Sequence, residues 1–422
     1  MPHPQTLHAF ERDRRLLIAA RGFRSIAQGV LAADFALFLR ASAWDAARIG
    51  AVLAGGLAFA VVLTLLAAAS DRWGRKRFLL GYEILYVLSC AAASLHPSGA
   101  VLSLAAITGA FGRGANGSAG PFGSIEQAWL TQGLRKSEPL TRLLSLNTSF
   151  GFAGMAVGAA LGALPALGHV APTRAADYHL IFPLALVFAL ACLACVALAR
   201  DRHGREREAI EPEPGRERDT RRGENRHLRN LGLVNLLQGA GIGLSGPLVS
   251  YWFARRFGLG PGQIAPLMAA GFVAAALSAP LGARLTSRLG LMGAIVPLRV
   301  AALVALVLMP LAPGPAWAMA AYLLHKTLNR STNGLRAAVT ARLVRNHRRG
   351  FAGAISSIAR QVPRSLGPLV AGVMMDSGWL AAPFLLGAGF QAAYLYLYQS
   401  RFRASAAAET DPYPVGPKLE SS

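Results

Sequence analysis

The sequence predicts an all-α membrane protein: twelve transmembrane helices in two pseudo-symmetric six-helix bundles, with both termini cytoplasmic. Three observations predict it. Of 422 residues, 53% are hydrophobic and only 15% charged, a balance that suits a chain crossing a bilayer many times. A window of about 19 residues finds twelve apolar segments, each near the ~20 residues a helix needs to span hydrocarbon. The basic residues then alternate between loops as an even number of spans requires.

The segments lie near 16–39, 49–69, 78–97, 99–120, 143–164 and 178–199, and near 230–253, 262–283, 290–312, 315–337, 351–374 and 379–398. Residues 1–15 form a cytoplasmic segment and 16–199 the first bundle. Residues 200–229, rich in Arg, Glu, Pro and Gly, form a flexible or partly helical cytoplasmic linker. Residues 230–400 form the second bundle, and 401–422 a disordered cytoplasmic tail. With the N-terminus inside, 29 loop or tail Lys/Arg fall on the inner side and 5 on the outer. Retention of basic residues on the cytoplasmic side sets this orientation and implies a multi-pass protein of the cytoplasmic (inner) membrane, expected as a monomer.

The same charge excludes other classes. A formal +22 on a soluble surface would suggest nucleic acid, but here the excess falls mostly in short loops between apolar runs, so no nucleic-acid partner is expected. Three cysteines exclude a disulfide framework. Cys192 and Cys195 read as small packing residues within an apolar run. No cleavable signal peptide is expected, because the first apolar run is long and lacks a small-residue cleavage site. Gly112-x-Gly114-x-x-Gly117 mimics a dinucleotide fingerprint without a preceding strand. No cofactor, metal or catalytic residue is expected, and the chain is not an enzyme.

The two halves echo each other. Arg113-x-x-Asn116-Gly117 in span 4 returns as Arg330-x-x-Asn333-Gly334 in span 10. Asp71-Arg72-Trp73-Gly74 returns as Ser287-Arg288-Leu289-Gly290, and Gln28-Gly29 as Gln238-Gly239. Offsets of 210 to 217 residues argue for a duplicated six-helix unit. Such repeats suit a transporter with its site at their interface near the midplane.

The stretch Asp71 to Arg77 carries five charges between two apolar runs. It must lie at a membrane surface. It resembles the loop between helices 2 and 3 of the major facilitator superfamily, Gly-x-x-x-Asp-Arg-x-Gly-Arg-Arg/Lys. Asp71, Arg72, Gly74, Arg75 and Lys76 match, and Ala67 holds the first position. The resemblance implies alternating access, with Asp71, Arg72, Gly74 and Arg75 as a cytoplasmic latch made only while that face is closed. Arg113 and Asn116 resemble the family's Arg-x-x-Gln-Gly pattern of helix 4. There Arg113 would serve gating or proton coupling, or else bond backbone carbonyls of span 1. The antiporter pattern ending Gly-Pro-x-x-Gly-Gly is incomplete in span 5.

Nine basic residues lie inside spans: Arg21, Arg24, Arg113, Arg299, Lys326, Arg330, Arg336, Arg360 and Arg364. A buried cation costs ~3 kcal/mol at the bilayer centre, so each meets water, a partner or a ligand. Arg21 and Arg336 are near enough to the inner ends to snorkel. Arg24, Gln28, Arg113, Asn116, Gln238, Lys326, Arg330, Asn333, Arg360 and Arg364 are the candidate substrate-binding residues. Their cation excess over few acids predicts a small anionic substrate, a carboxylate or phosphorylated metabolite. Efflux of amphipathic drugs is the alternative, and a non-transporting receptor or scaffold a second one. Asp34 either carries a coupling proton or pairs with an arginine. Glu83 is expected to meet the basic hinge, and Glu126 to partner an arginine at a gate.

Overall fold

The computed structural model describes residues 4–66, 74–112, 123–131, 140–164, 174–178, 180–201, 217–336 and 349–407. No strand occurs among them. The first half contains α1 (Pro4–Ala41), α2 (Ala46–Leu66), α3 (Arg75–Leu95), α4 (Gly99–Thr108), α5 (Gly123–Leu130), α6 (Leu140–Leu161) and α7 (Ile181–Leu198). The second contains α8 (Glu217–Ser245), α9 (Val249–Phe257), α10 (Pro261–Leu277), α11 (Ala279–Leu311), α12 (Pro315–Ser331), α13 (Arg349–Asp376) and α14 (Ala382–Ala407). Among the described residues, seven helices are long and apolar enough to cross a membrane.

Three elements differ from the sequence expectation. The span expected over 99–120 stops at Thr108, because the chain turns where Ala110 and Gly112 adopt φ of 49° and 72°. The helix of span 7 begins at Glu217, inside the expected linker, and breaks after Ser245. Pro247 follows there, and a residue before proline is driven out of the helical region. Finally, α11 runs on through the boundary expected between spans 8 and 9, interrupted only by Gly290 at φ 71°.

That interruption gives the hinge echo a physical meaning. Gly74, 216 residues earlier, begins α3 with φ 96°. Both glycines hold a backbone conformation that a side chain would strain. The Gln-Gly echo is explained by packing. A Cβ on Gly29 would lie 2.5 Å from the Met155 carbonyl oxygen of α6. One on Gly239 would lie 2.1 Å from the Arg360 carbonyl oxygen of α13. Gly154 and Gly158 continue the first crossing, and Gly243 and Gly367 the second. Each half thus contains one backbone-on-backbone helix pair, the small-residue contact that suits helices in lipid.

The core shows which ends of the halves meet. One large cluster joins Phe35, Leu39, Trp44 and Ile49 to Trp252, Phe272, Ala371 and Phe384. At this end, here called the Trp44 face, α2 crosses α13: a Cβ on Gly50 would lie 2.2 Å from the Pro368 carbonyl oxygen, and one on Gly372 2.2 Å from that of Ala46. At the other end the clusters are separate. Leu17, Leu79, Trp129 and Val196 belong to the first half, and Leu231, Ile295, Tyr394 and Tyr398 to the second. The halves are therefore joined at the Trp44 face and parted at the opposite one.

Candidate functional site

Five helices of the first half converge on Arg24. It is 2% exposed. Its Nε donates to Glu83 Oε1 of α3 at 2.6 Å, and its Nη1 donates to Glu126 Oε2 of α5. Asn147 Nδ2 of α6 donates to Glu126 Oε1 at 3.2 Å, and Cys192 Sγ of α7 to Glu83 Oε2 at 3.3 Å. Arg21, packed against Gly151, lies within electrostatic reach of Glu126. Two guanidinium groups therefore face two carboxylates. Buried ions need such matched partners to offset desolvation.

This geometry corrects two expectations. Glu83 meets Arg24 rather than the basic hinge. The guanidinium of Arg24 is bound up with two acids of its own bundle, whereas the sequence reading offered it to a substrate. Glu126 is the acid that meets an arginine, and that arginine is Arg24.

Asp34 lies ten residues farther along α1, ~15 Å at 1.5 Å per residue. It is fully buried, with neither carboxylate oxygen hydrogen-bonded. Its Oδ2 sits where a Cβ on Gly162 would come within 2.5 Å. Gln28 is 4% exposed and its amide has no hydrogen-bond partner, and Gln238 is 1% exposed with Oε1 lacking one.

The second half has a different charge balance. Between residues 230 and 400 the chain contains one acid, Asp376. Arg299 of α11 donates to Asn329 and stacks 4.7 Å from the Tyr394 ring centre. Arg336 donates to Asn333 and to the Tyr394 hydroxyl at 3.2 Å. Asn333 thus serves an arginine of its own half. Lys326 lies 5.3 Å from the centre of the Tyr322 ring. Arg330 lies 5.3 Å from that of Phe152 on α6, reaching across to the first half. Lys326 is within electrostatic reach of Arg330 and Arg364, and Arg330 of Arg336 and Arg360. All four of Lys326, Arg330, Arg360 and Arg364 are partly exposed although they lie mid-helix.

The hinge residues sit elsewhere. Arg75 Nη1 donates to the Ala128 carbonyl at 3.3 Å, at the end of α5. Lys76 Nζ donates to the Ala197 and Ala199 carbonyls of α7, both at 2.7 Å. Cations at helix C-termini are favourable on dipole grounds. Arg75 makes this contact within its own half while the halves are parted at that face, where the latch reading expected contact only on closure. Asp71, Arg72, Arg113 and Asn116 lie outside the described residues.

Sequence reasoning missed Asp376. Its Oδ1 and Oδ2 accept the Ala46 and Ala47 N–H groups at 2.8 and 2.7 Å, so an acid of α13 caps α2 of the other half. The available signal was its standing alone: 170 residues with one acid.

The comparisons fit this architecture. The family model described as Major Facilitator Superfamily matches residues 17–368. A D-xylose-proton symporter superposes with a TM-score of 0.69 at 14% identity, covering 92% of this chain and 97% of that one. The nucleoside transporter NupG gives 0.65 at 14% identity, covering 94% and 99%. The human organic anion transporter MFSD10 gives 0.59 at 18%, covering 92% and 99%. No curated protein matches. At such identities the solved structures speak for the fold alone, but the family match spans most of the sequence. The chain belongs to the major facilitator superfamily and is a membrane transporter, not an enzyme.

Proposed function

We propose that this transporter moves a small organic anion across the cytoplasmic membrane by alternating access, through twelve spans with both termini cytoplasmic. The observation that carries the substrate class is the charge asymmetry of the halves. The buried acids Glu83 and Glu126 are matched within the first half, while Lys326, Arg330, Arg360 and Arg364 gather in a segment whose one acid lies at the far end of α13. Cations concentrated in a low-dielectric cleft draw anions to it. The Lys/Arg bias assigns the Trp44 face to the outside, which makes this state inward-open.

Asp34 is the acid best suited to carry a coupling proton. It is buried without a hydrogen-bond partner, so its protonation would remove a charge that the surroundings do not offset. The protein is proposed to act as a monomer.

Uptake into proteoliposomes tests the substrate class. A panel of carboxylates and phosphate monoesters should compete for transport. Transport of a cationic dye that no member of the panel inhibits would sink the reading.

A further inference from the structure

The four cations of the second half are arranged in two levels. Lys326 and Arg330 are four residues apart on α12, and Arg360 and Arg364 four apart on α13. Residues at that spacing share a helix face. The helices run in opposite directions: α13 ends at the Trp44 face with Asp376, while α12 leaves that face, where Ala318 belongs to the joined cluster. Lys326 and Arg364 therefore form one level toward the Trp44 face, and Arg330 and Arg360 a second level. The electrostatic pairing agrees, since Lys326 feels Arg364 and Arg330 feels Arg360. Four residues of helix separate the levels by about 6 Å.

The other cations are placed differently. Arg299 and Arg336 bracket the Tyr394 ring and hold Asn329 and Asn333. Asp376 is taken up by the N-terminus of α2, and Glu83 and Glu126 by Arg24. The aromatic neighbours of Lys326 and Arg330 orient these charges without neutralising them. Like charges stacked at depth repel, and an anion bridging both levels offsets that repulsion twice.

We infer that the substrate is a dianion whose two charged groups lie about 6 Å apart along the bundle axis, one held by Lys326 and Arg364 and the other by Arg330 and Arg360. The inference rests on the anion reading above and narrows it to substrates with two acidic ends: dicarboxylates, or phosphate monoesters bearing a carboxylate. Charge recognition belongs to the second half. The first half contributes Phe152, against which Arg330 lies.

The test uses the full-length protein in proteoliposomes. Inhibition of uptake is measured with α,ω-dicarboxylates of increasing chain length and with monocarboxylates of matched length. The best dicarboxylate should inhibit at least about tenfold more tightly than its monocarboxylate partner, with a clear optimum in length. Arg364→Gln should bring the two close to parity by weakening the dianion alone. Arg364→Lys should restore most of the preference, which separates loss of charge from misfolding. Equal inhibition by mono- and dianions, or a preference that survives Arg364→Gln, would overturn the two-level site while leaving anion transport standing. Inhibition by no anion at all would overturn both readings.

Discussion

Replacing Asp376 by asparagine should release the Trp44 face. Ala46 and Ala47 open α2, so their N–H groups have no partner within that helix. Asp45 serves the next turn, its Oδ1 accepting the Arg48 N–H at 2.6 Å. Asp376 serves Ala46 and Ala47 from the other half, and both bonds exist only while α2 and α13 are together. Asparagine retains one acceptor and loses the charge. A lost cap is worth about 1 kcal/mol, with a few tenths more from the interaction of charge and helix dipole. The population open at this face should therefore rise about five- to tenfold relative to the joined state. Spin labels on Ser42→Cys and Ser377→Cys, in a background lacking the native cysteines, report the separation by pulsed electron resonance. The long-distance population should grow in Asp376→Asn and more so in Asp376→Ala. Identical distance distributions in all three proteins would refute the reasoning, because the bonds would then carry no weight in the conformational balance.

Other predictions concern the buried charges and the crossings. Glu126→Gln leaves Arg24 with one carboxylate and should cost about 3 kcal/mol, seen as a lower Tm in detergent. Removing Arg24 by Arg24→Met strands two acids and should lower Tm at least as far. Gly239→Val places side-chain carbons against the Arg360 carbonyl and should abolish monodisperse protein on size exclusion, because close backbone contact leaves no room to adjust. Asp34→Asn should eliminate proton-driven accumulation yet preserve substrate counterflow in proteoliposomes. Wild-type accumulation by that variant would remove Asp34 from the coupling role.

Much of the helical layout was legible because it rests on local patterns. Apolar runs of fixed length and charged breaks such as Asp71 to Arg77 need no tertiary information. The glycine echoes were visible as repeats, but their meaning was not: only the structure brings Gly29 against Met155 and Gly239 against Arg360. The fate of Arg24 was illegible for a related reason. Its partners lie 59 and 102 residues away, on separate helices. Charge count alone treats Arg24 and Arg330 alike, although one is matched by two acids and the other sits among cations. Early termination of α4 was hidden because four apolar residues follow Thr108 and Gly109 before Gly112 is reached only in part: Ala110 and Phe111 continue the apolar pattern while Ala110 turns at φ 49°.

The glycine contacts have a mechanical consequence. Helices that touch backbone to backbone cannot slide past one another, since any axial shift drives a carbonyl into a Cα. The α1–α6 and α8–α13 pairs therefore behave as welded units, and each half should swing as a body instead of shearing internally. The α2–α13 contact is built in the same way, from Gly50 and Gly372, yet it joins two halves that must separate in every cycle. Dispersion between such flat surfaces falls off within an ångström or so of parting. This seam should consequently behave as a snap fastener, firm when shut and nearly without pull once ajar, and less like a spring that resists in proportion to its opening.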